Sequence, residues 1–365
     1  MKNAIKKTTI FMIIGLVAMN SSCKKFIDID PPKSSVTSEV VFNDDVTATS
    51  AVVGIYFDLI NYVGFASGGP SSVTMLAGLS ADELHNFSNV GVYQEFQQNN
   101  LSTRNASVLE LWISCYKTLY QINEVLEGLN ESRNVTEKAK KQLIGEVLFI
   151  RAFTHFYLVN LFGPIPLALT TDYNITKKLP RSTSFEVYNS IIQDLTIAKN
   201  NLSDDYPWID EDFVTRARIR VNKASAAAML ARVYLYNKQW DNAETQATEV
   251  INNSKYALSS DLNTTFLSNS SEAIWQLRPV VSESSNTVEG FYFLEDLSLY
   301  KSFVLNNEVT KAFEYGDLRK NEWIRTDLLI PEPIYSPYKY KVYTSSTVTE
   351  SSMVLRLSEQ YLIRA

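Results

Sequence analysis

Residues 222–257 read NKASAAAMLARVYLYNKQWDNAETQATEVINNSKYA, and this stretch decides the fold. Its spacing predicts two antiparallel helices. The first runs from about Lys223 to Tyr236. Ala226, Ala227, Ala228 and Ala231 keep its surface small, so a neighbouring helix can come close, while Leu230, Val233 and Tyr234 supply bulk. Asp241 opens the second helix with Glu244 three positions on, the spacing of a capping box. Ala243, Ala247, Val250 and Ile251 recur every three or four residues and give that helix one apolar face.

The hairpin also resembles a tetratricopeptide unit, because Leu230, Ala231, Tyr234 and Ala243 fall at the relative spacings of its Leu, small, Tyr and Ala positions. Ala227 stands where that motif opens on an aromatic. The match supports a helical hairpin more than a regular array.

Similar patterns lie outward from it. Residues 38–62 have helical spacing, most regular from Val52 onward. Ser107 and Glu110 have capping-box spacing ahead of a stripe at Trp112, Tyr116, Leu119, Tyr120, Val125, Leu126 and Leu129. The longest helix is expected from about Glu137 to Phe162. Its Val147–Leu161 half is apolar nearly all round, which implies burial, and Gly163 and Pro164 stop it. Thr183 and Glu186 cap the next helix, whose Phe185, Tyr188, Ile191, Ile192, Leu195 and Leu202 are expected to face inward. About six helices on mostly short links make a scaffold of stacked hairpins.

Three stretches break this pattern. Residues 63–106 lose periodicity and are rich in Gly, Ser and Asn, yet keep Asp82, Phe87, Tyr93 and Phe96. A long irregular segment in a compact domain is usually functional or disordered, and those aromatics argue against disorder. Residues 203–222 form a polar insertion. After residue 258 come short β-like pieces, Ala273–Leu277 and Tyr338–Tyr343, among scattered aromatics. Residues 354–365 begin a new helix that stops without a cap.

The chain has 365 residues, 45% hydrophobic and 20% charged, with 20 Tyr, 18 Phe and 5 Trp. Its formal charge is −6; without residues 1–22, which hold three Lys and no acid, 31 basic residues face 40 acidic ones, or −9. Nucleic acid rewards clustered Lys and Arg, so it is not an expected partner.

Lys2, Lys6 and Lys7 precede an apolar run from about Ile10 to Met19, the pattern of a signal peptide over residues 1–22. Ser21 and Ser22 lead to Cys23, the expected lipidation site of a bacterial lipoprotein, although Asn20 stands where Leu is typical of that motif. Stable anchoring takes more than one acyl chain. Residues 23–36 form the lipidated tether, stiffened by Pro31 and Pro32. Cys115, the only other cysteine, sits in a helical pattern and is read as a buried thiol.

No catalytic motif is present. His85 and His155 lie far apart, and His155 falls in the all-round apolar helix, where a hydrogen-bonded core histidine is expected. There is no zinc spacing, phosphate loop or nucleophile elbow. No cofactor or metal is expected, and nothing in the sequence indicates a structural calcium ion. Asp204, Asp205, Asp210, Glu211 and Asp212 are the one carboxylate cluster, read as an exposed acidic loop rather than a glycosidase pair. Aromatic platforms remain: Tyr and Trp offer a flat apolar face with a polar tip, which suits stacking on a sugar ring. The loop candidates are Phe87, Tyr93, Tyr292 and Trp323, with Asp82 and Asn89 as polar partners. Trp275, in AIWQL, is read as core, and Trp240 as scaffold.

Five blocks carry a family resemblance: CKKFIDIDPPKSSVT from Cys23, FNDDVTATSAVVGIYFDL from Phe42, IGEVLFIRAFTHFYLVNLFGPIPL from Ile144, VNKASAAAMLARVYLYNKQWDNAETQATEVI from Val221, and VLRLSEQYLIRA from Val354. In this order they resemble SusD/RagB-type outer-membrane lipoproteins. The resemblance implies a mainly α fold with a tetratricopeptide-like α-α superhelical scaffold over residues 37–258, including loop 63–106. An irregular, loop-rich ligand-binding region over 259–365 would follow, with a truncated C-terminus. It implies a surface-exposed, lipid-anchored protein of the outer membrane that binds an oligosaccharide without catalysis and hands it to a SusC-like TonB-dependent transporter. Two other readings stay open: an oligopeptide-binding RagB-like lipoprotein, and a scaffold that grips a protein partner.

Overall fold

The computed structural model describes residues 38–61, 63–207, 217–279, 286–295, 302–327 and 333–365. The signal peptide, the tether, Cys23 and Asp210–Asp212 lie outside them. Of the first of two compact units, Met1–Val41, only the helical turn Ser38–Val41 is described. The second unit, Phe42–Ala365, is described below.

Six long helices dominate it: α1 Asp45–Ile60, α4 Ala106–Glu131, α5 Glu137–Phe162, α6 Ser184–Asn201, α7 Lys223–Tyr236 and α8 Trp240–Ile251. From α4 onward each packs against the next, and α1 packs on α4 and α5. The fold is mainly α and tetratricopeptide-like. Gly163 caps α5 at φ 67, a left-handed conformation that suits glycine. By length and hydropathy α5 could cross a membrane, but 78% of its most apolar stretch is buried inside this fold. Lys238, at φ 58, lets three residues join α7 to α8.

That tight turn corrects one expected cap. The helix starts at Trp240 with Gln239 as a cap that makes no side-chain hydrogen bond, and Asp241 lies inside the first turn, where its charge meets the helix dipole. The Ser107–Glu110 box is also absent. Asn105 caps α4, accepting from the amides of Ser107 and Val108 at 3.0 and 3.3 Å, which leaves Glu110 to accept from Ser71 Oγ at 2.5 Å. Thr183 and Glu186 do form a capping box. Phe185 points outward, 70% exposed, since α6 begins only one residue earlier and buries Val187, Ile191 and Leu195 instead. Tyr120 is exposed too.

Residues 63–106 are more ordered than their composition implies. They hold α2 Val73–Ser80, β1 Leu84–Asn86 and α3 Gly91–Gln97. Eight- and seven-residue helices are too short to show a clear period.

The later region adds β2 Ala273–Leu277, α9 Val288–Leu294, β3 Phe303–Leu305, α10 Leu318–Trp323, β4 Ile324–Asp327, β5 Ile334–Pro337, β6 Ser352–Arg356 and α11 Leu357–Arg364. The strands pair antiparallel as β1–β3, β2–β6 and β4–β5. Two expectations shift. Tyr338–Tyr343 is not a strand; Tyr340 is buried and its hydroxyl accepts from Met353 N at 2.8 Å, a side-chain tie in place of a ladder. Residues 354–356 belong to β6, and the helix begins at Leu357.

Trp275 is wholly buried on β2. It meets Tyr56 of α1 at 6.3 Å and Phe149 and Phe153 of α5 at 5.0 Å each, all edge-on, so one ring fastens the strand to two helices. Trp240, read as scaffold, is 59% exposed at the hairpin turn. His155 is core as expected but is not satisfied: neither ring nitrogen finds a hydrogen-bond partner among the described residues.

Candidate ligand-binding face

The connection from α2 to α3 carries three of the six candidate residues, and Tyr93 follows on α3 itself. Asp82 leaves α2 at φ 58 and Asn89 enters α3 at φ 56. Short polar side chains tolerate this left-handed backbone better than most, so the turns themselves account for these residue types. Both side chains are exposed. Between them β1 pairs with β3 in the register Leu84↔Leu305 and Asn86↔Phe303. Buried Asn86 secures the turn: its side-chain amide donates to Val90 O at 3.0 Å and its backbone amide donates to Gln97 Oε1 at 2.7 Å. Phe87 projects beyond the strand, 40% exposed.

Tyr93 stands in the first turn of α3, half-buried, edge-on to Phe303 at 5.1 Å. Tyr292 meets the same Phe303 at 6.4 Å. The structure thus joins two candidates through a buried ring that the sequence reading placed only among scattered aromatics. Tyr292 is a correction, however. It lies on α9 rather than a loop, and at 9% exposure it packs the interior instead of offering a face. Trp323 ends α10 and belongs to another cluster. Its Nε1 donates to Leu262 O at 3.1 Å, its ring meets Phe266 at 5.3 Å, and Arg356 and Lys339 sit 5.6 and 5.8 Å from its centroid. It is not a loop platform either.

Beside Tyr93 opens a cleft of about 380 Å³ between the end of α1 and the first half of α4. Its polar groups include Asp58, Asn61, Ser71, Glu110 and Lys117; the sequence reading singled out only Glu110 among them, and as a helix cap. Asp58 accepts from Gln121 Nε2 at 2.7 Å, Lys117 Nζ at 3.0 Å and Asn61 Nδ2 at 3.2 Å. Burial alone would raise its carboxyl, but the hydrogen bonds from Gln121 and Lys117 outweigh burial and hold it below the usual range. Asp58 is therefore held as a hydrogen-bond acceptor in its ionised form. Exposed Val63 and Ile113 complete the rim.

The spacing Glu110–Ser114–Lys117 is a polar stripe on α4, the one available signal. It reads as an ordinary solvated face until α1 is seen beside it. An aromatic ring, two carboxylates, an amide and an ammonium around one cleft can stack against a ring and hydrogen-bond its hydroxyls.

Among the described residues no group of three or more His, Cys, Asp or Glu could hold a metal ion. Asp204 and Asp205 face cations rather than a cleft, at 3.7 Å from Lys223 and 2.6 Å from Lys255. Burial pushes the Cys115 thiol far up, which leaves it unreactive.

A stack of helix pairs bearing an open polar–aromatic cleft defines a helical scaffold of the tetratricopeptide-like class. Residues 25–235 match the SusD-like family, described as starch-binding and associating with the outer membrane. The chain belongs to that family. A SusD-like protein of Formosa agariphila is 25% identical over 286 residues, 75% of this chain and 52% of the relative. One of Bacteroides ovatus is 22% identical over 244 residues, 66% of this chain and 41% of the relative. The chain thus spans about half the length of the curated relatives it matches. A SusD superfamily structure from Bacteroides thetaiotaomicron superposes with TM-score 0.74 at 20% identity, covering 88% of this chain and 75% of that one. Surface glycan-binding protein A from Bacteroides fluxus gives 0.72 at 18% identity, covering 87% and 75%. These likenesses show a shared fold.

Proposed function

We propose that this protein captures an oligosaccharide at the outer cell surface, anchored there through acylated Cys23, and passes it unaltered to a SusC-like TonB-dependent transporter. The observation that carries the reading is the cleft at Tyr93, where a half-buried ring stands beside Asp58, Asn61, Glu110 and Lys117. The ring supplies an apolar surface for sugar C–H groups, and the polar rim meets the hydroxyls. An Asp58 carboxyl held ionised has no proton to lend a leaving group, which fits binding without bond cleavage. The family's description as starch-binding supports the ligand class.

Calorimetry against a panel of polysaccharides and their oligomers tests this. Dissociation constants near a millimolar are expected, about −4 kcal/mol. Tyr93→Ala should weaken binding roughly tenfold, the worth of a good aromatic contact, with the melting curve recorded because Tyr93 also packs on Phe303. Failure of every glycan to bind a folded chain, or release of cleavage products, ends the proposal.

A further inference from the structure

A second cleft, of about 400 Å³, shares no lining residue with the Tyr93 cleft. Its apolar side includes Phe65, Phe153 and Tyr157, whose rings meet one another at 5.0 to 6.1 Å. Its polar side holds Glu83, Glu289 and Ser352, and no Lys, Arg or His is among the described residues that line it.

Glu289 is built into place. Its side chain is almost wholly buried and accepts from Ser352 Oγ at 2.7 Å. On the other side Gly68, at φ +77, makes room for it: a Cβ there would lie 2.2 Å from Glu289 Cδ. Burial lifts the carboxyl to about 7, the mark of an acid without enough countercharge. Arg232, whose charge acts on Tyr157, is paired with Glu359 through contacts of 2.6 and 2.7 Å, so it does not neutralise Glu289.

We propose that this cleft is a binding site for an alkylammonium group, which sets its charge between Glu289 and Glu83 and its carbon skeleton against the Phe65–Phe153–Tyr157 rings. The ligand brings a countercharge that none of the described residues lining the cleft supplies, and aromatic rings favour cations over neutral groups. An amino sugar or the side chain of a lysyl peptide would both present this chemistry.

Calorimetric or NMR titration of the full chain with glucosamine, N-acetylglucosamine and 1,5-diaminopentane tests the site. The charged probes should bind, and N-acetylglucosamine, with a neutral substituent on the same ring, should bind at least tenfold more weakly. Tighter binding of glucosamine than of the diamine points to an amino-sugar source; the reverse order points to a lysyl side chain. Glu289→Gln should weaken the amines about tenfold while leaving polysaccharide binding unchanged, and Tyr93→Ala should do the opposite, so the two sites fail separately. Should Glu289→Gln not fold, Glu83→Gln at the exposed rim decides and should weaken the amines. The proposal is overturned if the folded chain binds neither amine, if N-acetylglucosamine binds as well as they do, or if neither carboxamide variant changes affinity.

Discussion

Glu146 is buried in the middle of α5 and receives four hydrogen bonds: two from Arg220 at 2.7 and 2.9 Å, and one each from Tyr56 and Gln142 at 3.0 Å. Removing one partner of such a pair strands a charge in the interior, which costs about 3–5 kcal/mol. Arg220→Ala should lower unfolding free energy in urea by that amount. A larger consequence of pH comes from His155. Burial, with Arg151 nearby, depresses its folded pKa to about 3, against about 6.5 in an unfolded chain. Between those values the unfolded state holds the extra proton, so stability present above pH 6.5 is lost as pH falls toward 3. His155→Leu should flatten that decline. The gap between variant and wild type should grow by about 1.4 kcal/mol per pH unit across this window, and parallel melts of the two proteins from pH 7 to 4 would disprove the assignment.

At the scale of elements, the caps show which local signals survive folding. Thr183 and Glu186 satisfy each other's backbone within one turn, so their spacing sufficed. Asp241–Glu244 and Ser107–Glu110 have the same spacing but start two residues too late, because a left-handed Lys238 and the capping Asn105 set the true boundaries. The last helix is held differently. Arg232 of α7 pairs bidentately with Glu359 of α11 and also donates to Val354 O at 3.0 Å. Glu359→Ala should therefore release α11 by about 3 kcal/mol. Amide exchange should speed up over Leu357–Arg364 and remain slow in α5; equal acceleration in both would mean that the pair supports the whole molecule and not one helix.

For the whole molecule, the decisive question is attachment. A single acyl chain binds a bilayer only marginally, so the anchor proposed at Cys23 needs a diacylglycerol thioether and an acylated amino group. Membrane-extracted protein should carry both by intact mass, and Cys23→Ala should move the chain to the soluble fraction. Retention of the alanine variant in membranes would reject the anchor.

The sequence by itself determined the long helices and the family. The bounds of α5 and α7 and the cap of α6 follow from periods of three to four residues and from bonds within one turn, and the burial of Trp275 from the short apolar run AIWQL, all of which neighbouring side chains encode. The candidate face was only half legible. Asp82, Phe87 and Asn89 share one connection and Tyr93 opens the helix after it, so composition found them together, whereas Tyr292 and Trp323 pack in helices. Only the tertiary structure decided that Tyr93 leans on Phe303 and that Asp58 meets Lys117 across two helices. Those contacts join residues distant in the chain. They exist because α1 packs on α4 and β1 pairs with β3, and no local spacing records either arrangement.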